Sequence, residues 1–277
     1  MSLDGLYPFA GNHAIQSAVF VLEWMEPLLP GQMVKVRAAA ETLKADFPAI
    51  QDQQLLMLNL NMGLGNAAPN QIQTAEHGGF VLSRDSTLLG GPSRTIVIGR
   101  DNCQVTVPDY SRWDKVLGDV ARYLNALLPA FERPFRVVGL QYQDVFNWRS
   151  EPDKLPLKEI FNTGSKYLPA NVFALDSLWH SHHGYFEQFA TPRSCRQLDN
   201  INVSRMVNAG AHSIQILTSH RAEFEAPVWE QAMTDDSVIA LTFERMHAKN
   251  KDILRELLSE DVQALIKLNK QDAKHAI

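Results

Sequence analysis

The stretch Arg136-Val-Val-Gly-Leu-Gln-Tyr-Gln-Asp-Val-Phe146 decides the fold, and it begins near the middle of the 277-residue chain. Val138, Leu140 and Tyr142 fall on one face of an extended chain, and the glutamines between and after them point the other way. Side chains alternate between faces in this manner along a β-strand. The pattern therefore predicts a core strand over residues 135–146, with the Tyr142 hydroxyl bonded to a neighbouring group.

The same strand allows a second interpretation, as one wall of a binding groove. Asp144 follows Tyr142 on the same face, and Trp148 comes four residues later. A hydroxyl, a carboxylate and an indole together could form the polar end of a groove. Tyr142, Asp144 and Trp148 are therefore the candidate binding residues, beside the interpretation of this segment as an ordinary core strand.

Periodic apolar residues predict the elements on either side of this strand. Alternation with a period of two indicates strands, and apolar residues spaced three and four apart indicate helices. Before the central strand, the patterns predict strands over 18–24, 55–62 and 79–84, a hairpin formed by 94–99 and 103–107, and helices over 33–47 and 113–131. After it, they predict strands over 178–190, 198–207 and 213–217, and a helix over 239–257.

Both halves of the chain thus contain several strands followed by a long helix. This order predicts an α+β fold, in which antiparallel sheets have long amphipathic helices packed on one face. We expect an N-terminal half over residues 1–133 and a C-terminal half over residues 134–277. Two similar halves that arose by duplication, and one continuous domain, both stay open as alternatives.

The composition is that of an ordinary globular protein, and it excludes several classes. The net charge of −5 at pH 7 gives no electrostatic footprint for nucleic acid. Two cysteines cannot form a disulfide framework, which fits a reducing compartment. The sequence shows no signal peptide and no apolar run long enough for a membrane span. It therefore predicts a cytoplasmic protein with no membrane or nucleic-acid partner.

The segment His180-Ser-His182-His183 is a histidine cluster. On a strand, His180 and His182 would share a face, and neutral imidazole is a good metal ligand. A metal site needs a third donor, which the sequence does not place nearby. We therefore expect a solvated strand end and no metal, and we name His180 and His182 as the ligands if a metal site exists.

Other chemical motifs are missing or incomplete. The segment Gly63-Leu-Gly65-Asn-Ala-Ala68 follows a predicted strand and matches a permissive dinucleotide-binding pattern. The residues after it lack the apolar stripe of a helix, so a glycine-containing loop is the better interpretation. No G-x-S-x-G elbow, H-E-x-x-H pair or P-loop occurs in the sequence. We accordingly expect no cofactor.

The central segment Gly139-Leu140-Gln141-Tyr142-Gln143-Asp144 resembles the Gly-Leu-Arg-Tyr-(Ile/Val)-Asn strand of a sporadically distributed family of uncharacterised bacterial proteins. Three further segments are similar in placement: Asn12-His-Ala-Ile15, Pro108-Asp-Tyr110-Ser-Arg-Trp113 and Phe243-Glu-Arg-Met-His247. The resemblance implies a cytoplasmic accessory protein from mobile or defence-related gene clusters, with no established activity.

These observations favour a non-enzymatic binding protein. It would act through a protein partner or through a second copy of the same chain, with aromatic side chains as anchors. The alternative function is a metal-dependent hydrolase that uses His180 and His182.

Overall fold

The computed structural model describes residues 3–58, 72–84, 94–151, 155–208 and 211–268. Within them, ten strands form one antiparallel sheet: β1 (Leu6–Pro8), β2 (Ile15–Trp24), β3 (Ala49–Leu58), β4 (Ile72–Arg84), β5 (Arg94–Gly99), β6 (Asn102–Val107), β7 (Phe135–Trp148), β8 (Trp179–Phe189), β9 (Cys195–Asn208) and β10 (Ala211–Val228). The strand order is β3-β4-β5-β6-β2-β7-β10-β9-β8, and β1 pairs with the end of β7.

Five α-helices complete the described part of the chain: α1 (Pro30–Ala40), α2 (Trp113–Phe131), α3 (Leu157–Ile160), α4 (Val238–Leu257) and α5 (Glu260–Leu265). Two short 3-10 helices cover Glu41–Leu43 and Ala170–Ala174. None of the helices described is long and apolar enough to cross a membrane.

The predicted central strand lies at the middle of the sheet. β7 pairs with β2 on one side, where Ala18 faces Tyr142, and with β10 on the other side, where Thr218 faces Tyr142. Alternate residues of β2 and β7 are buried on one face, as the period-two pattern requires. The position of this strand in the core is therefore confirmed.

The core lies against that one face of the sheet. A first cluster gathers Phe20 and Leu140 from the central strands with apolar side chains of α1, α2 and the first half of α4. A second cluster gathers Phe146 and Trp148 with side chains of α3, α5 and the second half of α4. α4 therefore links the two clusters along the length of β7.

The predicted helices over 113–131 and 239–257 are confirmed as α2 and α4. α2 buries the predicted stripe from Trp113 to Phe131. α4 begins at a serine cap, because the side chain of Ser237 accepts a 3.1 Å hydrogen bond from the backbone N–H of Ala240. The predicted hairpin is also confirmed, as β5 and β6.

The predicted fold class is wrong. We expected antiparallel sheets with long amphipathic helices packed on one face, and the molecule is mostly one large ten-stranded sheet, with 42% strand and 30% helix. Three of the five described helices have 11 residues or fewer. The strands were underestimated because they run on through polar residues: β10 has 18 residues, whereas apolar alternation predicted only 213–217.

Two other predicted elements have boundaries that differ from those in the structure. The helix expected over 33–47 ends as an α-helix at Ala40 and tightens into the 3-10 turn Glu41–Leu43. The strand expected over 55–62 is β3 (Ala49–Leu58), which begins earlier than predicted, and residues 59–62 of the prediction lie outside the described residues. The glycine segment 63–68 also lies outside them.

The division at residue 133 stays a prediction. β2 and β7 pair with each other across it. In the N-terminal half, the last strand, β6, pairs with β2. In the C-terminal half, the last strand, β10, pairs with β7 in the same way.

Candidate functional site

Four segments that are distant in the sequence, one of them part of β7, bring aromatic and polar side chains together on the core side of the sheet. The ring of His13 lies 5.6 Å from that of Tyr110, which lies 6.2 Å from the ring of Tyr142. The Tyr142 hydroxyl is 2.8 Å from Nδ1 of His247, whose ring stacks on Trp113 at 4.0 Å. We define the central cluster as His13, Tyr110, Trp113, Tyr142, Asp144 and His247.

Asp144 is the buried carboxyl of the central cluster. Its side chain is 1% exposed, and Oδ2 has no hydrogen-bond partner among the residues described. Burial raises the pKa of Asp144 from 3.8 to about 7, because a charged carboxylate is poorly stabilised away from water. Near neutral pH, the group therefore exchanges between its neutral and charged forms.

Burial of the central cluster limits the chemistry that its side chains can perform. An acid with a pKa near 7 suits proton transfer, but a proton donor must reach the reacting group. Tyr142 and Asp144 are buried beneath α4 and the start of α2. In this arrangement, Tyr142 connects β7 to α4 through His247, and neither side chain presents a surface to a substrate.

Trp148 lies apart from the other two predicted binding residues. It belongs to the second core cluster with Leu6, and its Nε1 donates a 2.8 Å hydrogen bond to the backbone carbonyl of Glu151. All three predicted residues share the buried face of β7, as expected, but only Tyr142 and Asp144 belong to one cluster. Their role in binding stays a prediction.

A second polar cluster lies under α4, on β9 and β10. Nδ1 of His220 is 2.7 Å from Oδ1 of Asp199, and Nε2 of Gln197 donates to the same oxygen at 2.8 Å. Burial disfavours the charged form of Asp199, but the contact with His220, the hydrogen bond from Gln197 and the charge of Lys249 together lower its pKa. The carboxylate is therefore the stable form of Asp199 in the fold.

Asn250 connects this second cluster to α4. The Thr218 hydroxyl donates to Oδ1 of Asn250 at 2.5 Å, and Nε2 of His220 lies 3.5 Å from the same oxygen. All four side chains, Asp199, Thr218, His220 and Asn250, are at most 2% exposed. The arrangement ties α4 to β10 by hydrogen bonds inside the core, which makes it a structural connection.

The predicted histidine cluster lies on β8, at one edge of the sheet. His180 and His182 share an exposed face, as expected, and His183 points to the opposite face. Nδ1 of His180 is 2.8 Å from the Ser204 hydroxyl, and Nδ1 of His182 is 2.6 Å from Oδ1 of Asn202. Within the described ranges, no group of three or more His, Cys, Asp and Glu side chains could hold a metal ion.

The face of the sheet opposite the core carries no described helix, and we call it the uncovered face. Its middle crosses six neighbouring strands, from β5 to β9, with half-buried side chains. These side chains are uncharged: Thr95, Val97, Gln104, Thr106, Val19, Gln141, Gln143, Gln215, Leu217, Ser219, Asn200, Asn202 and Ser204. The surface is thus broad, mixed in polarity and free of formal charge in its middle.

Charged side chains on the uncovered face gather at one end of the strands and pair with each other. Arg221 contacts Glu23 at 2.6 Å, and Arg196 contacts Glu223 at 3.5 Å. Because each cation has an acidic partner, this end of the face is close to electrically balanced.

A cavity of about 560 Å³ opens between α1 and β4, away from both polar clusters. Its walls include Leu28, Met33 and Phe80. Arg37 at its side is paired with Glu41 and, at 3.6 Å, with Asp52. The charges of this cavity are therefore balanced within the chain.

The second polar cluster was missed at the level of sequence. Thr218 and His220 have the same parity as the apolar residues Ile214, Ile216 and Ala222, which places them on the buried face of β10. That parity was a usable signal, but the predicted strand stopped at residue 217. The pairing of His220 with Asp199 depends on the β9–β10 register, which no local pattern specifies.

No protein-family model matches the chain, and no curated protein matches it significantly.

Proposed function

We propose that the protein is a non-enzymatic, cytoplasmic binding protein that recognises a protein partner through the uncovered face. One observation supports this proposal above all others: uncharged, half-buried side chains extend across six strands, while both histidine-containing polar clusters beside α4 are enclosed. The centres of protein–protein interfaces are depleted of charged residues, as this surface is.

The dimensions of the uncovered face suit a protein partner. Six strands at a spacing of about 4.8 Å span roughly 24 Å, and six residues along each strand add roughly 20 Å. Contact over this area buries roughly 500 Å² on each side, or about 1,000 Å² in total, which reaches the lower limit for a specific interface. A partner with a flat, uncharged surface would match it.

The charges argue for protein over nucleic acid. Binding to a phosphate backbone needs unpaired cations, because affinity comes mainly from Lys and Arg contacts. On the uncovered face, Arg196 and Arg221 are paired with glutamates, and the chain as a whole carries a net charge of −5.

The resemblance to the sporadically distributed bacterial family suggests a genomic context for this proposal. In that setting, the protein is an accessory component encoded in a mobile or defence-related gene cluster, and its partner is encoded nearby. The genes that flank this one are the first place to look for the partner.

The test is affinity capture of the tagged full-length chain from its native host, followed by mass spectrometry. Leu217 and Gln143 face each other at the middle of the uncovered face, so Leu217→Lys with Gln143→Lys places two charges where a partner must desolvate them. Leu241→Lys on the exposed side of α4, where Leu241 is 41% exposed, is the matched control.

We expect a stoichiometric protein partner with the wild type and with Leu241→Lys, and its loss with the double variant. Repeated recovery of the chain without any protein partner would contradict the proposal. Retention of the partner by the double variant would show that binding does not use the uncovered face.

A further inference from the structure

We propose that two copies of the chain pair through β8 into a two-fold dimer, in which the two sheets join edge to edge. This dimer goes beyond the proposed function, because it uses the backbone edge of the sheet and leaves the middle of the uncovered face available to a partner.

β8 is the last strand of the sheet on its side. All 11 residues from Trp179 to Phe189 pair with β9 in one continuous register, without a bulge. Within the described residues, no strand pairs with the other edge of β8. A row of backbone N–H and C=O groups is therefore available to a further antiparallel strand.

The sequence of β8 lacks the features that usually protect an edge. Natural edge strands are blunted by proline, by lysine, by bulges or by short length. The strand Trp179–Phe189 contains no Pro, Lys or Arg. Its one carboxylate, Glu187, is held by Lys249 at 2.6 Å on the core side. Phe186 is instead 61% exposed beside this edge.

A second copy fits this edge because of where the side chains fall. In a two-fold antiparallel pair that uses the whole strand, Gly184 lies on the axis, opposite Gly184 of the second copy. His182 then faces Phe186 of the second copy, and His183 faces its Tyr185. Aromatic cross-strand pairs of this kind stabilise antiparallel sheets.

The same register avoids repulsion between copies. Glu187 falls opposite Ser181 of the second copy, so no two acidic groups are directly opposed. Identical strands related by a two-fold axis are necessarily antiparallel, which gives a closed, self-complementary interface. The dimer also places two uncovered faces side by side in one continuous sheet.

The experiment is sedimentation velocity on the purified full-length chain over a range of micromolar concentrations. His182→Lys with Phe186→Lys places two lysines opposite each other at two symmetric positions of the dimer. His182→Glu with Phe186→Lys changes the same positions but places a glutamate opposite a lysine. Both variants alter exposed side chains, and circular dichroism with thermal unfolding checks that each retains the fold.

We expect a dimer for the wild type, dimerisation weakened by more than about tenfold in the lysine pair, and recovery in the glutamate–lysine pair. A wild type that stays monomeric would overturn the proposal, and so would a lysine pair that dimerises as well as the wild type. Failure of the glutamate–lysine variant to recover would overturn the proposed register.

The proposal of a dimer and the proposal of a protein partner can be refuted independently of each other. Leu217→Lys with Gln143→Lys should leave the dimer intact, because these positions lie in the middle of the sheet and away from β8. A monomeric chain that still captures a stoichiometric protein would refute the dimer alone.

Discussion

Nδ1 of His220 lies 2.7 Å from Oδ1 of Asp199, and both side chains are completely buried. The carboxylate accepts hydrogen bonds from two strands at once, since Gln197 also donates to Oδ1. In many proteins, such a pair would orient a catalytic base. Here, the other ring nitrogen faces Asn250 of α4 at 3.5 Å, so the pair connects helix and sheet.

Replacing Asp199 should therefore be costly to stability. Asp199→Ala leaves His220 and Gln197 with buried donors and no acceptor, and leaving a buried donor unsatisfied typically costs roughly 1–3 kcal/mol. Asp252→Ala, at an exposed carboxylate on α4, should change stability by less than about 0.5 kcal/mol. Urea unfolding of the three proteins measures the difference. Equal midpoints for the two variants would refute the structural role of the pair.

Asp144 should make stability fall as the pH rises from about 4 to about 7. Its pKa is about 7 in the folded chain, against the usual 3.8. Well below pH 3.8, both states hold the proton, so the group makes no pH-dependent contribution to the free energy of unfolding. Between pH 3.8 and 7, the unfolded chain releases the proton while the folded chain keeps it, so the destabilisation grows to roughly 4 kcal/mol and is then constant.

Asp144→Asn removes this titration. We expect the variant to gain stability relative to the wild type as the pH is raised from 4 to 8, with the unfolding free energy measured at each pH. Asp114→Asn, at an exposed acid of the first turn of α2, serves as the control and should follow the wild type. A constant difference between Asp144→Asn and the wild type would contradict the account of this carboxyl.

The Tyr142 hydroxyl should contribute a modest amount to stability. Tyr142→Phe removes the 2.8 Å hydrogen bond to His247 while it keeps the ring, and such a loss in a buried site costs about 1–3 kcal/mol. Tyr7→Phe, at a tyrosine that is 41% exposed, should be close to neutral. Thermal unfolding compares the two. A neutral Tyr142→Phe would mean that the bond contributes nothing to the packing of α4.

The histidines of β8 should not hold a transition metal. Nδ1 of His180 and Nδ1 of His182 already contact Ser204 and Asn202. Elemental analysis of the purified chain should find far less than one metal ion per molecule. A near-equimolar metal that disappears in the variant His180→Ala with His182→Ala would instead support the hydrolase alternative.

The central part of the fold was predictable because local patterns determine it. The alternation around Leu140 and the stripe from Trp113 to Phe131 each reflect burial of a single element, and both predictions are confirmed. The extent of the sheet was not predictable in the same way. Strands such as β10 continue through polar residues because backbone pairing with β7 and β9 supports them, and that pairing is non-local.

The polar clusters show the same limit. The sequence identified Tyr142 and Asp144 as neighbours on one face, since parity places them there. Their contacts with Tyr110 and His247 depend on how α2 and α4 lie over the sheet. The half-buried surface of the uncovered face is likewise a property of six strands in one order, so no single segment could reveal it.

The most direct test of the central claim is native mass spectrometry of the chain isolated under mild conditions from its own host. The account predicts a mass that contains an intact protein partner in addition to one or two copies of the chain. A mass that corresponds only to the chain, or to the chain with a metal ion or small ligand and no second protein, would contradict it.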